Sequence, residues 1–475
     1  MLHRILALSV FAVAFTITAA PYADEPAKKS ADKPDPVRVC SERFWIVSET
    51  VLDREFNPPT RQEMFVHAVR SLFAAENAEP LPELERKVSV LVNREQFTAF
   101  LKDNWPTSMV ESDVLVASFT SGMLEGSSNQ KDQGLIPPAT AKAMEGAAAN
   151  RYVGTGIQLR KSAKDALPEI TVAFPNGPAR KAGGKNGDLI LEVDGVSMEG
   201  LTLSEVVDRI RGEEGTKVSF TVRQPDEKGT RRLNMTRGPV PFTTVFGYKR
   251  ISEDRWQYRV NPDQPIAYLR LETILPSTPA ELRKLEATLL DEGVKGIVLD
   301  LRSAGGGDVQ PALLTADELL PGGLMFKVQD ARHHIKEYRA DKDCIFRDCK
   351  TVLLVNEYTQ SAGELVAAAL QDNDRAVAVG QATRGDGSVI SLVHLPNDLG
   401  AVQLRTGRVE RAKGKGWRPI TPDHVVSLDQ DKSMSILEWQ HAQSGTEPPG
   451  SAPKDPPNDP QLAKALELLQ DAVKK

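Results

Sequence analysis

Residues 352–388, VLLVNEYTQSAGELVAAALQDNDRAVAVGQATRGDGS, constrain the fold more than any other stretch of the chain. A short β-branched apolar run at 352–355 leads to small residues around Ser361. Leu365, Ala368 and Ala369 then recur at helical spacing, and 376–379 turns apolar again. Strand, sharp turn, helix and strand in that order predict a parallel βαβ unit, because two parallel strands need a crossover between them. A serine at the first turn of that helix faces the positive end of its dipole, beside N–H groups that have no intrahelical partner and can hold a developing oxyanion. Ser361 and Glu364 also have the S-x-x-E spacing of a capping box, in which the serine is a structural cap and nothing more. Both readings of Ser361 stand at this level.

A second loop favours the chemical one. DLRSAGGG at 300–307 follows the apolar strand pattern 296–299 and precedes a helical pattern at 310–320, and its glycines let the backbone approach a substrate closely. Taken together, IVLDLRSAGGG, VLLVNEYTQSAGE and AVAVGQATRGDGS resemble the carboxyl-terminal processing peptidases, also called tail-specific proteases. The resemblance implies Ser361 as nucleophile and the backbone N–H groups of Gly306 and Ala362 as the oxyanion hole. It also implies a lysine base inside a G-K-G triplet, with a glutamine four residues later. Here Asp386 and Ile390 stand at those two positions.

A serine hydroxyl needs a neighbour that takes its proton, and a desolvated lysine does so. An aspartate with a reference pKa of about 3.9 is a weak base unless burial raises that value. Other candidates are His394 and the pair Lys413 and Lys415 in RAKGKGW. His394 would lie roughly 26 Å along a continuous strand from Asp386, too far without a bulge. A lysine pair in a glycine-rich loop is more often a solvated turn than a base that folds back.

The N-terminus reads as an export signal. Residues 1–23 combine His3 and Arg4, an apolar run at 5–20 and the small-residue ending TITAAPYA, which predicts a secretory signal peptide; an uncleaved anchor is the alternative. The expected location is therefore secreted or periplasmic. In an oxidising compartment the three cysteines matter. Cys344 and Cys349 are close enough in sequence for a local disulfide worth about 2 kcal/mol, which leaves Cys40 unpaired. A net charge of −6 and a pI near 5.8 give no electrostatic footprint for nucleic acid. No spacing suggests a metal site, and neither cofactor nor nucleic acid is expected as a partner.

The rest of the chain divides by pattern. Residues 24–39 are polar and proline-bearing and read as a linker. Residues 40–149 carry helical periodicity, with Thr60 and Glu63 as a capping box, and read as a small helical domain. From 150 to 238 the period shortens: VGTGIQL at 153–159 and DLILEV at 188–193 read as strands, and a helix capped by Thr202 and Glu205 carries Leu203, Val207 and Ile210. With GPARKAG and GDLILEVDG in register, this block resembles a PDZ domain. That resemblance implies a carboxylate-binding loop at Gly154, Thr155, Gly156 and Ile157, with an extended peptide lying between Ile157, Leu159 and Val207. A PDZ fold that only gates the neighbouring site is the alternative.

Residues 239–442 read as the peptidase-like α/β domain, and 443–475 as a linker and a last helix opened by Asp459 and Pro460. The expected architecture is thus multidomain α/β: an N-terminal helical domain, a PDZ domain and the α/β core of a tail-specific serine peptidase. Two functions follow. One is an exported peptidase that recognises unfolded or C-terminal protein segments. The other is an inactive pseudo-peptidase that uses its PDZ groove as an adaptor.

Overall fold

The computed structural model describes residues 34–106, 110–125, 127, 135–148, 153–161, 167–240, 243–252, 255–306, 309–341, 343–414, 416–444 and 456–473. The expected signal peptide and Lys415 fall outside these. The chain forms two compact units. One comprises Met1–Ala143, Phe326–Tyr338 and Gly387–Trp417; the other comprises Met144–Met325, Arg339–Asp386 and Arg418–Lys475.

In the first unit the helix Pro36–Arg54 starts earlier than the sequence suggested. Asp35 accepts a hydrogen bond from the Val37 amide and proline sits in the first turn, so the last residues of the expected linker 24–39 are helical. The helix Arg61–Ala74 is opened by the predicted Thr60–Glu63 capping box. These helices bury a cluster of edge-to-face rings, with centroids 4.9 Å apart for Phe44–Phe65 and 4.8 Å for Phe65–Phe97. Val393, Leu395, Val402 and Leu404 complete that core. They belong to the strands Ser388–His394 and Ala401–Arg411 and the loop between them, within a four-stranded sheet that also holds Gly323–Asp330 and Ile335–Ala340. The expected domain 239–442 is therefore not one body: residues 387–417 join the helical unit because Val393, Leu395, Val402 and Leu404 fill its core, and 326–338 go with them through the pairing of Phe326–Asp330 with Gly407–Arg411. His67 is half-buried, and among the described residues no group of His, Cys, Asp and Glu could hold a metal ion.

The second unit contains two sheets. The PDZ block forms an antiparallel sheet whose edge strand is Ile157–Lys161, paired with Pro168–Ala173. The stretch expected as one strand, 153–159, is broken in two, because Gly156 adopts φ +72° between Val153–Gly154 and Ile157–Lys161. The PDZ helix Leu203–Ile210 has its predicted capping box but turns Val206 and Ile210 into the core, leaving Val207 half-buried.

The larger sheet orders its strands as His424–Val425, Ala376–Gly380, Lys350–Val355, Gly296–Asp300, Ile266–Leu271 and Val245–Phe246, all parallel except the last. Strands buried on both faces read as continuous apolar runs, which is why GIVLD and VLLV lack alternation. The helix Pro460–Val473 docks Leu462, Ala465 and Leu469 against Tyr268, Val298, Val352 and Leu354. The preceding helix, Gln430–Ser444, runs two residues into the expected linker. Among the described residues no helix is long and apolar enough to cross a membrane.

The expected Cys344–Cys349 disulfide is absent; all three cysteines are free and buried. Each thiol turns to a backbone carbonyl instead, Cys344 Sγ to Ile345 O at 3.4 Å and Cys349 Sγ to Val294 O at 3.6 Å. Arg375 organises this loop by donating to the carbonyls of Cys349 at 2.9 Å and Phe346 at 2.7 Å. Burial raises the pKa of both thiols, and pushes that of Cys40 up to about 12, so none is poised as a thiolate.

Phe44 is 1% exposed at the centre of the ring cluster. Phe44→Ala should cost about 3–5 kcal/mol in urea-induced unfolding of this unit; a loss below about 1 kcal/mol would mean that the cluster does not carry the core.

Candidate active site

Three neighbouring parallel strands of the large sheet, Gly296–Asp300, Lys350–Val355 and Ala376–Gly380, end on the same side. In open α/β sheets ligands bind at the carboxyl ends of the strands. Each of these strands releases one loop there: 301–306, 356–361 and 381–386.

The first loop is held by its neighbours. Ser303 takes φ +62°, and its amide donates to Asn356 Oδ1 at 3.0 Å. Gly305 donates to Glu272 O and accepts from the Ile274 amide, both at 3.0 Å. Gly306 follows at φ +144°; a Cβ built there would lie 2.9 Å from both Ala362 Cβ and Ile274 O. Only glycine fits, and its backbone therefore abuts the first residue of the helix Ala362–Asp372. Gly307 and Asp308 lie outside the described residues.

The second loop is tied to the first. Thr359 Oγ1 donates to Leu301 O at 2.8 Å and the Gln360 amide donates to Ala304 O at 3.0 Å. Ser361 then sits at φ +50°, ψ −122°, a conformation that side chains with a Cβ rarely adopt, and it makes no side-chain cap hydrogen bond. The capping-box reading of Ser361 is thus overturned. Its side chain is exposed, and among the described residues its hydroxyl has no partner. A strained serine between a strand and the N-terminus of a helix has the form of a nucleophile elbow.

Glu364 has a different employment from the expected one. Its side chain is 1% exposed, and Oε1 accepts from Thr383 Oγ1 and, at 2.7 Å, from the Gly385 amide. Thr383 Oγ1 in turn accepts from the Ile420 amide at 2.9 Å. Arg384 Nη1 donates to Gln360 Oε1 at 3.0 Å. The third loop is therefore clasped to the residues on both sides of Ser361, and Asp386 follows directly after these anchors, exposed. Burial raises the Glu364 pKa, and Oε2 of the same carboxyl is buried without a hydrogen-bond partner among the described residues. The S-x-x-E spacing pointed to Glu364 but named the wrong partner. Nothing in the sequence signalled Thr383, Gln360 or Arg384.

The structure thus brings Ser361, Ala362, Gly306 and the Asp386 loop together. His394 and Lys413 belong to the other unit, as does Ile390 on the strand Ser388–His394. In the PDZ block, Gly154, Thr155 and Gly156 form a buried turn: Thr155 O accepts from the Ala179 amide at 2.8 Å and Gly156 O from the Phe174 amide at 2.9 Å. Ile157 and Leu159 follow, half-buried on the edge strand, with the helix that carries Val207 packed beside it.

Known proteins resemble this chain in sequence. Residues 265–426, which include all three loops, match the family model described as Peptidase family S41, and residues 169–224 match that of a PDZ domain. The chloroplastic C-terminal processing peptidase of Tetradesmus obliquus is 30% identical over 312 residues, covering 64% of this chain and 66% of that protein. The chain belongs to the carboxyl-terminal processing peptidase family with a PDZ domain. The carboxyl-terminal-processing protease of Picosynechococcus is 29% identical over 293 residues, covering 62% of this chain and 68% of that relative. The chain thus spans about two thirds of the length of these relatives. A solved photosystem II D1 C-terminal processing protease shares 22% identity over 84% of this chain and 95% of its own, with a TM-score of 0.42.

The strain at Ser361 is testable apart from any activity. Ser361→Gly should raise stability by about 1 kcal/mol or more relative to Ser361→Ala in chemical denaturation, because glycine occupies positive φ without steric cost. Equal stability of the two variants would mean that the elbow is unstrained.

Proposed function

We propose that this member of the carboxyl-terminal processing peptidase family is an exported serine peptidase acting on unfolded or C-terminal protein segments, with Ser361 as nucleophile. The observation that carries the reading is Ser361 itself: an exposed side chain at φ +50° whose hydroxyl has no partner among the described residues, directly before Ala362, which abuts the Gly306 backbone. Strain of this kind persists where the surrounding structure over-determines it, as at active sites. In the proposed reaction Oγ attacks a peptide carbonyl, and the oxyanion is received by the amides of Gly306 and Ala362. The proton passes to a base and then to the leaving amine. The PDZ block holds the substrate's free carboxylate at 154–157 and its extended chain along the edge strand Ile157–Lys161.

The identity of the base separates this reading from a second one. Asp386 and Ile390 stand where the family pattern has lysine and glutamine, and that favours a pseudo-peptidase that retains the PDZ groove as an adaptor for protein C-termini. Asp386 takes up the base's position in the first reading; in the second the position is idle.

One experiment decides between them. The purified chain lacking 1–23 is incubated with an unfolded protein ending in a free apolar C-terminus, beside Ser361→Ala and the double variant Asp386→Lys with Ile390→Gln. Slow cleavage that vanishes in Ser361→Ala is expected, with a gain of about 10²-fold or more in the double variant, the usual worth of a well-placed general base. No cleavage by the wild type, with tail binding retained, would establish the adaptor instead. For the PDZ groove, amidating a peptide's C-terminus should weaken binding by about tenfold or more, since charge-assisted hydrogen bonds are lost; equal affinity would remove carboxylate capture from the reading.

A further inference from the structure

A buried polar cluster lies at the root of the first loop, outside the reacting groups. Asp300, fully buried at the end of its strand, accepts from Arg302 through Nε at 3.0 Å, Nη2 at 2.6 Å and the backbone amide at 2.9 Å. Tyr268 Oη and Gln440 Nε2 donate to its Oδ2 at 2.6 and 3.0 Å. Arg302 is 4% exposed and is followed directly by Ser303 at φ +62°, where the chain turns toward Gly306.

The remaining Arg302 donors reach the start of the helix Pro460–Val473. Nη2 lies 2.8 Å from Asp459 Oδ2, and Nη1 donates to Gln461 Oε1 at 3.2 Å. Asp459 divides its carboxylate between two tasks, since Oδ1 caps the helix by accepting from the Leu462 amide at 3.0 Å. Gln461, fully buried, also donates to Val426 O at 2.8 Å and to Gln381 Oε1 at 3.3 Å, the first side chain of the third loop. One helix start thus touches the roots of two of the three loops.

Charge balance does not explain this arrangement. Asp300 alone neutralises Arg302, so the second carboxylate, whose side chain is 9% exposed, adds a desolvation cost that electroneutrality does not require. What Asp459 and Gln461 add is direction: they fix the guanidinium plane, and through it the point from which Ser303–Gly306 departs.

We propose that Asp459 and Gln461 are positioning residues that hold the oxyanion loop in register with Ser361 through Arg302, making the C-terminal helix part of the active-site framework. The inference rests on the peptidase reading for its catalytic consequence, whereas the clamp itself is independent of it.

The test uses the mature full-length chain, its Asp459→Asn and Gln461→Met variants, and Leu462→Ala as a control that loosens the helix without touching Arg302. Asparagine caps a helix about as well as aspartate, so Asp459→Asn removes mainly the charged bond to Arg302. The readouts are the rate at which a fluorophosphonate phosphonylates Ser361 with loss of fluoride, amide hydrogen exchange in a peptide covering 301–306, and Tm. Asp459→Asn should slow phosphonylation by about tenfold or more, as expected for a misplaced oxyanion donor, and should accelerate exchange in 301–306. Leu462→Ala should lower Tm while moving both of those readouts less than about twofold. Unchanged phosphonylation and exchange in Asp459→Asn would overturn the proposal, as would an equal effect of Leu462→Ala at equal loss of Tm. If the wild-type chain is not phosphonylated at all, the peptidase reading fails, and exchange in 301–306 alone judges the clamp. Should Asp459→Asn fail to fold, Gln461→Met carries the same comparison.

Discussion

The structure depends on the adjacency of three parallel strands that end on one side of a sheet. Hydrogen-bonded neighbours in a parallel sheet lie about 4.8 Å apart, so the loops that leave Asp300, Val355 and Gly380 cannot avoid each other. Their contacts are therefore made from backbone and short side chains: Gln360 N to Ala304 O, Thr359 Oγ1 to Leu301 O, Gly306 against Ala362. Gly380 marks how tight this edge is, since a Cβ there would meet Val355 O at 2.0 Å. Everything chemical about the site follows from packing three turns into that width.

Such packing has energetic costs that the surrounding structure offsets. Ser361 and Ser303 both stand at positive φ, and conformations of this kind cost on the order of 1–3 kcal/mol each. Glu364 is buried with one oxygen unpartnered among the described residues, and Asp300 and Arg302 are both buried. Buried charges of this sort contribute little net stability and persist where they fix a geometry. Here they sit at the roots of the loops, and the apolar sheet and the docked helix Pro460–Val473 supply the burial that makes them tolerable.

Much of this was legible in the sequence. The βαβ periodicity of 352–388, the glycine loop, the PDZ block, both threonine capping boxes and the cap at Asp459 all depend on residues close in sequence, and each recurs in the structure. The readings that failed concern which partner a side chain finds. Ser361 and Glu364 have capping-box spacing, yet Glu364 turns to Thr383 and Gly385. Cys344 and Cys349 have disulfide spacing, yet each thiol faces a carbonyl. Residues 387–417 have the strand pattern of the α/β domain, yet Val393, Leu395, Val402 and Leu404 complete the helical core.

The sequence by itself determined the order of the elements, the family and the candidate nucleophile, because periodicity, turn chemistry and local caps act over a few residues and leave a readable pattern. Only the tertiary structure decided that Ser361 is strained and uncapped, that Glu364 clasps the Asp386 loop, and that Arg302 is held by Asp459 across a separation of more than one hundred and fifty residues. Those pairings are made by groups whose free energy of burial is settled once the sheet and its covering helix enclose them. No local pattern records which distant partner will then be within reach.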